Sequence, residues 1–333
     1  MNITIKDIAK VAQVSYSTVS KALNNSPLVK EDTKKRIVGI AKELGYEPNF
    51  AAQRLASKQT KIIGLIWPTI ERVVLSTLVT KISNEISATP YSMILSVDPV
   101  QTALDTFKRF QTDGIILFEE NMALSIDTNS IPLLSYGVAG KENTPYPIID
   151  ANHELAMHEA VRYLYHLGHT NIVYIGDLSS TDPMQIEKYK GFKKAMTLFG
   201  LSGDDNQLAD TAGLNAYDGY LATQKVLANS THPTAIVGGS FDISGGIIRG
   251  IKERNLMIPE DISIISYDNI PQMADIEIPL TCIGVPVDIL ATEIVTTIIK
   301  FIEEKEVQPL VKKLTPILNE RASCAAKKSR LVN

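Results

Sequence analysis

The chain has 333 residues, more than one ordinary domain holds, and its 44% hydrophobic and 21% charged residues are typical of a soluble globular protein. No apolar run approaches the roughly 18 to 20 residues that span a bilayer, and Lys6, Asp7 and Lys10 interrupt the N-terminal segment, so neither a membrane anchor nor a signal peptide is expected. The two cysteines exclude a disulfide scaffold, and a cytoplasmic protein is expected.

Charge is distributed unevenly along the chain. Residues 1–60 contain ten basic and five acidic residues, a net charge of +5, whereas the whole chain carries −4 and the remainder therefore −9. A basic segment on an acidic body confines the field that attracts phosphates to one end of the protein. Lysines on solvated helix faces would explain each basic residue separately but not this asymmetry, so we expect residues 1–60 to bind nucleic acid.

The first elements in chain order are two short helices separated by a tight break. Thr4 followed by Asp7 resembles a capping box, and the segment up to Ala12 is apolar at helical spacing. The break falls at Gln13, after which Ser15 can cap a second helix. That helix leaves four polar side chains on its outer face, near its N-terminus: Tyr16, Ser17, Thr18 and Lys21. A helix-turn-helix presents side chains to base edges in the major groove in this way.

A third helix and a shorter fourth helix complete this N-terminal head. The third is predicted over Glu31 to Leu44, with Gly45 at its C-cap. Asn49 can cap a short helix that carries Leu55 near its end. Helical periodicity alone would also fit an ordinary three-helix bundle that binds no ligand, so the choice between the two depends on the detailed motifs.

Four motifs occur in order: Thr-Ile-Lys-Asp-Ile-Ala, Val-Ser-Tyr-Ser-Thr-Val-Ser-Lys-Ala-Leu-Asn, Leu-Gly-Tyr-Glu-Pro-Asn and Arg-Leu-Ala-Ser-Lys-Gln-Thr. They resemble the lactose/galactose-repressor family of transcriptional regulators motif by motif. The resemblance covers essentially the whole chain and is most specific in residues 1–65. Lys30 is one departure, because the third helix of the family usually begins with a Ser or Thr cap.

The resemblance assigns DNA-binding roles to residues of the head. Tyr16 and Ser17 match positions that read bases, and Lys21 matches a third where arginine is frequent; lysine can donate to guanine but lacks the rigid fork of arginine. Leu55 matches the leucine that wedges into the minor groove at the operator centre, although a buried packing leucine is the simpler alternative. Four polar residues are expected to contact the DNA backbone or to cap helices: Thr4, Ser15, Thr18 and Asn24.

Beyond Lys61, short apolar runs alternate with amphipathic stretches, which predicts parallel sheets covered by helices on both faces. The candidate strands are Ile62–Ile66, Met93–Val97, Gly114–Phe118, Ile131–Ser135, Ile172–Ile175, Ala235–Val237 and Ile262–Ser266. The candidate helices include Leu75–Ile86, Glu154–His166, Ile186–Leu198, Tyr217–Leu227 and Ile243–Arg254. The fold class is therefore α/β, with an N-terminal helix-turn-helix head.

The resemblance implies how these elements are divided into domains. Residues 1–48 would form the helix-turn-helix domain, 49–60 the hinge helix and linker, and 61–333 a body like a periplasmic binding protein. The first subdomain of that body would take roughly 61–150 and 285–310. The second would take 151–281 and 311–324.

Motifs for enzymatic or metal chemistry are not found in the sequence. It contains neither a Gly-x-x-x-x-Gly-Lys-Ser/Thr loop nor a His-Glu-x-x-His pair, and its five histidines show no metal-ligand spacing. The run from Gly238 to Ser240 with Gly245 and Gly246 does not match a dinucleotide cradle, and Cys324 is expected to be a bystander thiol. No cofactor, no metal and no catalytic residue are expected. The enzyme alternative, a hydrolase or kinase with a fused head, lacks a nucleophile elbow or phosphate loop.

The resemblance places an effector cleft between the two subdomains. Asp268 and Lys188 match ligand-holding positions, although arginine is usual at the second, and the bland alternative is a salt bridge between them. Five further candidates are Ser240, Phe241, Leu214, Thr69 and Glu119. Departures such as Gly137 and Val285 predict either a pocket less polar than a sugar site or a pocket built from other residues, such as Thr69, Glu119 or Asp150. No sugar is therefore assigned as the effector.

These observations predict a transcriptional repressor that binds a palindromic double-stranded operator as a homodimer and is switched by a sugar-like or other small metabolite. The alternative keeps the DNA-binding head but uses a protein corepressor, as in the catabolite-control members. That contact would fall on the helix Ile289–Glu303, where Lys300 is present but Thr296 replaces an arginine of those members. The tail after Arg321 has no leucine heptad, which favours a dimer over a tetramer.

Overall fold

The computed structural model describes residues 3–23, 26–46, 59–118, 131–138, 146–178, 181–228, 232–305 and 310–327. The chain separates into two compact units, Met1–Thr60 and Lys61–Asn333. The predicted hinge helix and the boundary at residue 48 lie outside the described residues, as do Asn24, Leu55 and Glu119. None of the described helices is both long and apolar enough to cross a membrane.

The N-terminal unit contains the helices α1 (Ile5–Ala12), α2 (Tyr16–Leu23) and α3 (Glu31–Glu43). Gln13 adopts a left-handed conformation (φ 53°) and ends α1, which makes the tight break that the sequence predicted. Gly45 is also left-handed (φ 65°) and ends the third helix region, as expected of a C-cap glycine. The three helices pack around a small core that includes Ile8, Val19 and Ile37, each fully buried.

The first sheet of the body is wholly parallel within the described residues. Its strands are β1 (Ile62–Ile66), β2 (Ser92–Ser96), β3 (Gly114–Phe118), β4 (Leu133–Tyr136), β5 (Ile148–Asp150) and β11 (Val311–Lys313). They are ordered β11-β5-β4-β3-β1-β2. Helices α4 (Val73–Ser87) and α11 (Val287–Glu304) cover one face, and α5 (Val100–Phe110) covers the other. Both faces are apolar because both are buried.

The second sheet follows the same plan with one antiparallel edge. Its strands are β6 (Ile172–Gly176), β7 (Leu208–Asp210), β8 (Ala235–Gly238), β9 (Ser263–Asn269), β10 (Thr281–Pro286) and β12 (Ile317–Asn319). They are ordered β12-β10-β9-β8-β6-β7, and only β12 runs antiparallel to its neighbour among the described pairs. One face carries α6 (His153–His166) and α7 (Pro183–Leu198), the other α8 (Ala216–Val226) and α9 (Phe241–Glu253). A short helix, α10 (Gln272–Asp275), lies between β9 and β10 in the chain.

Helices α8 and α9 approach each other at backbone distance. A Cβ added to Gly246 would lie 1.9 Å from the carbonyl oxygen of Ala216, and one added to Gly219 would lie 2.4 Å from that of Ile243. Each helix therefore places a glycine at the crossing, because any larger side chain would push the helices apart. This close packing holds the N-terminus of α9 in position beside the end of β9.

The predicted α/β fold class is confirmed, but one boundary is wrong. The sequence assigned residues from 311 onward to the second subdomain, whereas Val311–Lys313 pair with Ile148–Asp150 at the edge of the first sheet. The chain crosses back to the second sheet only at Ile317–Asn319. Three-residue strands such as these carry too little periodicity to be assigned to a sheet from sequence. Val311–Lys313 pair with β5 because β5 has a free edge in the folded first sheet, and this cannot be seen in the local sequence.

Candidate functional site

The outer face of α2 is exposed as the sequence predicted. Tyr16 is 53% exposed, and Ser17 and Lys21 are also exposed, while Val19 and Ala22 of the same helix are buried. The base-reading candidates therefore lie together on one face near the helix N-terminus. That face can present a phenol, a hydroxyl and an ammonium group, all of which can hydrogen-bond to base edges.

The hydroxyl groups around the start of α2 contact one another. The Oγ of Ser15 accepts a hydrogen bond from the backbone N–H of Thr18 at 3.1 Å, which makes Ser15 the cap of the helix. The same oxygen lies 2.8 Å from Thr18 Oγ1 and 2.9 Å from Ser17 Oγ. Ser15 thus stabilises the start of the helix. If Ser15 or Thr18 also contacts a DNA phosphate, the same hydroxyl groups must serve both the cap and the phosphate.

Thr4 has a similar structural role at the start of α1. Its backbone N–H and its hydroxyl both donate to the Asp7 carboxylate, at 2.9 and 2.6 Å. Hydrogen bonding from the Thr4 hydroxyl is the main reason that the pKa of Asp7 is lowered, since these bonds favour the charged form. The predicted capping pair is therefore present. A role for Thr4 in binding the DNA backbone stays a prediction.

A cleft lies between the carboxyl ends of the two parallel sheets of the body, where α/β folds bind ligands. It encloses about 40 Å³ of free space. The side from the first sheet and its helices is largely apolar and includes Leu75, Phe118 and Tyr136, whereas the second side carries most of the polar groups. Apolar and polar residues therefore lie mostly on opposite sides of the cleft. That the pocket is less polar than a sugar site stays a prediction.

Lys188 lines the cleft from α7, as predicted, and is only 3% exposed. Its ammonium group donates to the carbonyl of Gly239 at 3.0 Å and to Gln185 Oε1 at 3.4 Å, and it lies 4.1 Å from the ring centre of Tyr267. Burial lowers the pKa of Lys188 to about 8, although the carboxylate of Asp268 opposes this shift. An ammonium held by neutral acceptors and a ring face keeps its charge available to a ligand.

Asp268 lines the same cleft at the end of β9 and is 8% exposed. Its backbone is left-handed (φ 84°), a conformation that is unusual for a residue other than glycine and is often found at functional sites. Its Oδ2 accepts a hydrogen bond from the backbone N–H of Phe241 at 2.9 Å, at the N-terminus of α9. Asp268 and Lys188 therefore each bind a backbone group of the second subdomain. The alternative from the sequence, a direct salt bridge between these two residues, differs from these contacts.

The other described candidates do not line the cleft. Ser240 is fully buried and its Oγ caps α9 by accepting from the N–H of Ile243 at 3.3 Å. Phe241 and Leu214 are partly buried against the core of the second subdomain. Thr69 Oγ1 accepts from the N–H of Glu71 at 3.1 Å. The family resemblance placed these residues in the cleft, and the structure does not.

Several cleft residues were not anticipated from the sequence. Arg72 precedes α4, His153 begins α6, and Asp182 caps α7 by accepting from the N–H groups of Met184 and Gln185 at 2.8 and 3.4 Å. Asp182 followed by Pro183 is a recognisable helix start, so this residue could have been placed at a helix N-terminus. Arg72 and His153 carry no such local signal, because their position depends on distant partners.

Cys324, expected from the sequence to be a bystander thiol, is partly buried. Its Sγ lies 3.0 Å from the carbonyl oxygen of Ile264, and burial raises its pKa to about 12. A thiol with a raised pKa is a poor nucleophile near neutral pH. Among the described residues, no group of three or more potential ligands could hold a metal ion.

Two family profiles match the chain. The one described as "Bacterial regulatory proteins, lacI family" matches residues 4–49, and the one described as "Periplasmic binding protein-like domain" matches residues 161–324. The first match covers the helix-turn-helix and the second covers most of the second sheet with its helices. The members of the lacI family are transcriptional regulators.

Curated relatives match over nearly the full length. Catabolite control protein A of Priestia megaterium is 32% identical over 85% of this chain and 90% of its own length. The HTH-type transcriptional repressor PurR of Pasteurella multocida is 31% identical over 98% and 99% of the two chains.

Among solved structures, the lac repressor dimer bound to operator and the anti-inducer ONPF matches with a TM-score of 0.84. It is 25% identical, with 98% of this chain and 100% of that chain covered. The chain therefore belongs to the lacI family of bacterial regulatory proteins and is a DNA-binding transcriptional repressor.

Proposed function

We propose that this repressor binds a palindromic operator as a homodimer in the cytoplasm and that a small molecule in the cleft changes its operator affinity. The observation that carries the proposal is the cleft itself, where most of the charged side chains come from the second subdomain and face a largely apolar wall from the first. A ligand that touches both sides favours one arrangement of the two subdomains over another, as an effector must.

The DNA-binding part of the proposal assigns base reading to Tyr16, Ser17 and Lys21. These residues are exposed on one face of α2, and the helix behind them is fixed by Val19 and Ala22 in the core of the head. Asn24 and Leu55 keep their proposed roles as backbone contact and minor-groove wedge, and both lie outside the described residues. A two-fold operator fits a two-fold dimer, because each head reads one half-site.

The effector part of the proposal assigns ligand binding to Lys188 and Asp268. Charge-assisted hydrogen bonds are strong and directional, so a pair of opposite charges can orient a small polar ligand. The free volume of about 40 Å³ is much smaller than the 300–1,000 Å³ typical of ligand pockets. Binding of a metabolite therefore requires the two sheets to separate or side chains to move, which links occupancy to subdomain geometry.

The DNA-binding part is tested by selecting an operator from random duplexes with the purified full chain. Affinity should fall steeply with salt, because neutralising phosphates releases counterions, and a truncated chain of residues 61–333 should lose the binding. Equal operator binding by the truncated chain would contradict the assignment of DNA binding to the head.

The effector part is tested by thermal shift against a metabolite panel, followed by operator titration with each molecule that binds. Lys188→Ala and Asp268→Ala should leave operator binding near that of the wild type and abolish the effector response. Lys193→Ala is the matched control, since Lys193 is on the same helix and pairs with Asp205 at 2.9 Å away from the cleft lining. If the panel has no effect while a protein bound to α11 changes operator affinity, the corepressor alternative replaces the small effector.

A further inference from the structure

Two buried nitrogen atoms of the cleft residues have no hydrogen-bond partner among the described residues. They are Nε of Arg72, which precedes α4 in the first subdomain, and Nε2 of His153, which begins α6. His153 is 2% exposed. Buried polar groups are nearly always hydrogen-bonded, so two such atoms lining one cavity indicate that a ligand satisfies them.

The hydrogen-bond partner of His153 indicates which ring nitrogen carries the proton. Its Nδ1 lies 2.6 Å from the hydroxyl of Tyr267, which is buried and has His153 as its partner within the described residues. A buried hydroxyl donates its proton where an acceptor is in reach, so Tyr267 donates to Nδ1 and the neutral ring carries its proton on Nε2. Burial, together with repulsion from Lys188 and Lys313, lowers the pKa of His153 well below its usual value and keeps the ring neutral. Nε2 of His153 is therefore a donor, as Nε of Arg72 always is.

The carboxylates near these donors are already engaged by backbone amides. Asp182 accepts from the N–H groups at the start of α7, and Asp268 accepts from that of Phe241. Asp242, whose charge Arg72 also influences, accepts from the N–H of Val73, while its Oδ2 is buried without a hydrogen-bond partner among the described residues. Lys188 is held by a carbonyl, an amide oxygen and a ring face. Asp182 and Asp268 thus offset helix N-termini, and Lys188 contacts neutral groups.

We propose that the effector is a small anionic metabolite whose carboxylate or phosphate group accepts hydrogen bonds from Arg72 and His153. The inference rests on the proposed switching by a cleft ligand and deepens it by naming the chemical class. Planar carboxylates and phosphates suit the guanidinium fork of arginine. The free volume beside these donors has room for roughly three water molecules, which is the scale of a charged group, and the apolar wall receives the remainder of the ligand.

The test compares anionic molecules with neutral partners of similar shape by calorimetry on the full chain. The pairs are glucose with glucuronate, glucose with glucose 6-phosphate, and benzamide with benzoate; acetate and inorganic phosphate serve as minimal probes. The expected result is that the anionic member of at least one pair binds at least tenfold more tightly. Comparison of the carboxylate pairs with the phosphate pair shows whether the site prefers a carboxylate or a phosphate group.

Variants locate the binding site. Arg72→Gln should weaken binding of the preferred anion by about tenfold to a hundredfold, the scale of a hydrogen bond to a charged group, and His153→Phe should weaken it less because it removes a neutral donor. Lys81→Gln is the control on α4, the helix that follows Arg72, because Lys81 pairs with Asp288 at 2.7 Å and does not line the cleft. Lys21→Gln tests whether an anion binds to the basic head instead of the cleft. An anion that binds in the head should bind this variant more weakly. Unfolding midpoints without ligand confirm that each variant is folded.

The outcomes are distinguishable. Neutral members that bind as tightly as their anionic partners, or anion binding that survives Arg72→Gln, overturns the inference. If a neutral molecule binds in the cleft and changes operator affinity, the proposed function stands and only the anionic class is wrong. If an anion binds through Arg72 and leaves operator affinity unchanged, the ligand class stands and the proposed switch is wrong. If no anion, the minimal probes included, binds through Arg72, the inference is also overturned.

Discussion

The head and the cleft of this repressor are built by different kinds of interaction. In the head, the reading face and its support lie within one short helix, where Tyr16 and Lys21 are exposed and Val19 is buried. In the cleft, neighbouring groups come from distant parts of the chain: His153 contacts Tyr267 across 114 residues, and Lys188 contacts Gly239 across 51. A substitution on the exposed face of α2 should therefore leave the fold of the head unchanged. The geometry of the cleft, in contrast, depends on how the sheets and helices of the body pack.

The largest expected effect tests this dependence on packing. Gly246→Ala places a Cβ 1.9 Å from the backbone oxygen of Ala216, and overpacking of this kind typically destabilises by about 1–3 kcal/mol, occasionally more. Gly245→Ala is the matched control, because a Cβ there meets nothing within 4 Å. Urea unfolding of the body should show a loss only for Gly246→Ala. Equal stability of the two variants would mean that the α8–α9 crossing is not close-packed.

Substitution on the reading face should act on DNA binding without changing stability. Tyr16→Ala and Lys21→Ala should each lose about 1–3 kcal/mol at the cognate operator, with a smaller loss on random duplexes. Titrations on both kinds of DNA at one salt concentration measure this difference. Equal losses on both kinds of DNA would show that these side chains contact phosphates. They would then contribute to affinity but not to sequence specificity.

The burial of Lys188 predicts that the stability of the protein depends on pH. Its pKa is lowered from 10.5 to about 8 in the folded protein, so between these values the unfolded chain binds more protons than the folded one. Stability therefore rises with pH in this window relative to a Lys188→Met variant. Chemical unfolding of both proteins at pH 7.5 and 9.5 checks the sign. A wild-type free energy of unfolding that falls relative to that of the variant as pH rises would contradict the prediction and show that contacts stabilise the ammonium.

The smallest expected effect concerns the start of α3. Lys30 precedes this helix and makes no capping hydrogen bond with its side chain, where the family usually has Ser or Thr. Lys30→Ser should stabilise the head by about 0.5–1 kcal/mol, since a side-chain oxygen satisfies an orphan N–H group. A thermal melt of the head transition measures the gain. If Lys30→Ala gives the same gain, removal of the lysine and not capping is responsible.

Short-range signals in the sequence determined most of the head. The Thr4–Asp7 pair, the break at Gln13, the Ser15 cap and the glycine at position 45 all act within four or five residues, and the structure has each of them. The alternation of apolar runs and amphipathic stretches likewise determined the α/β class, because a strand buried on both faces must be apolar throughout. The roles of Tyr16, Ser17 and Lys21 on DNA stay predictions.

Only the tertiary structure decided the cleft. The sequence placed Asp268 and Lys188 there, but it gave no sign that Arg72 and His153 would join them or that Ser240 would cap a helix instead. It also assigned Val311–Lys313 to the wrong sheet. The physical reason is that cleft contacts and edge pairings depend on where the ends of separate strands and helices meet. That depends on packing between layers, such as the α8–α9 crossing at Gly219 and Gly246, and not on the local preference of any one segment.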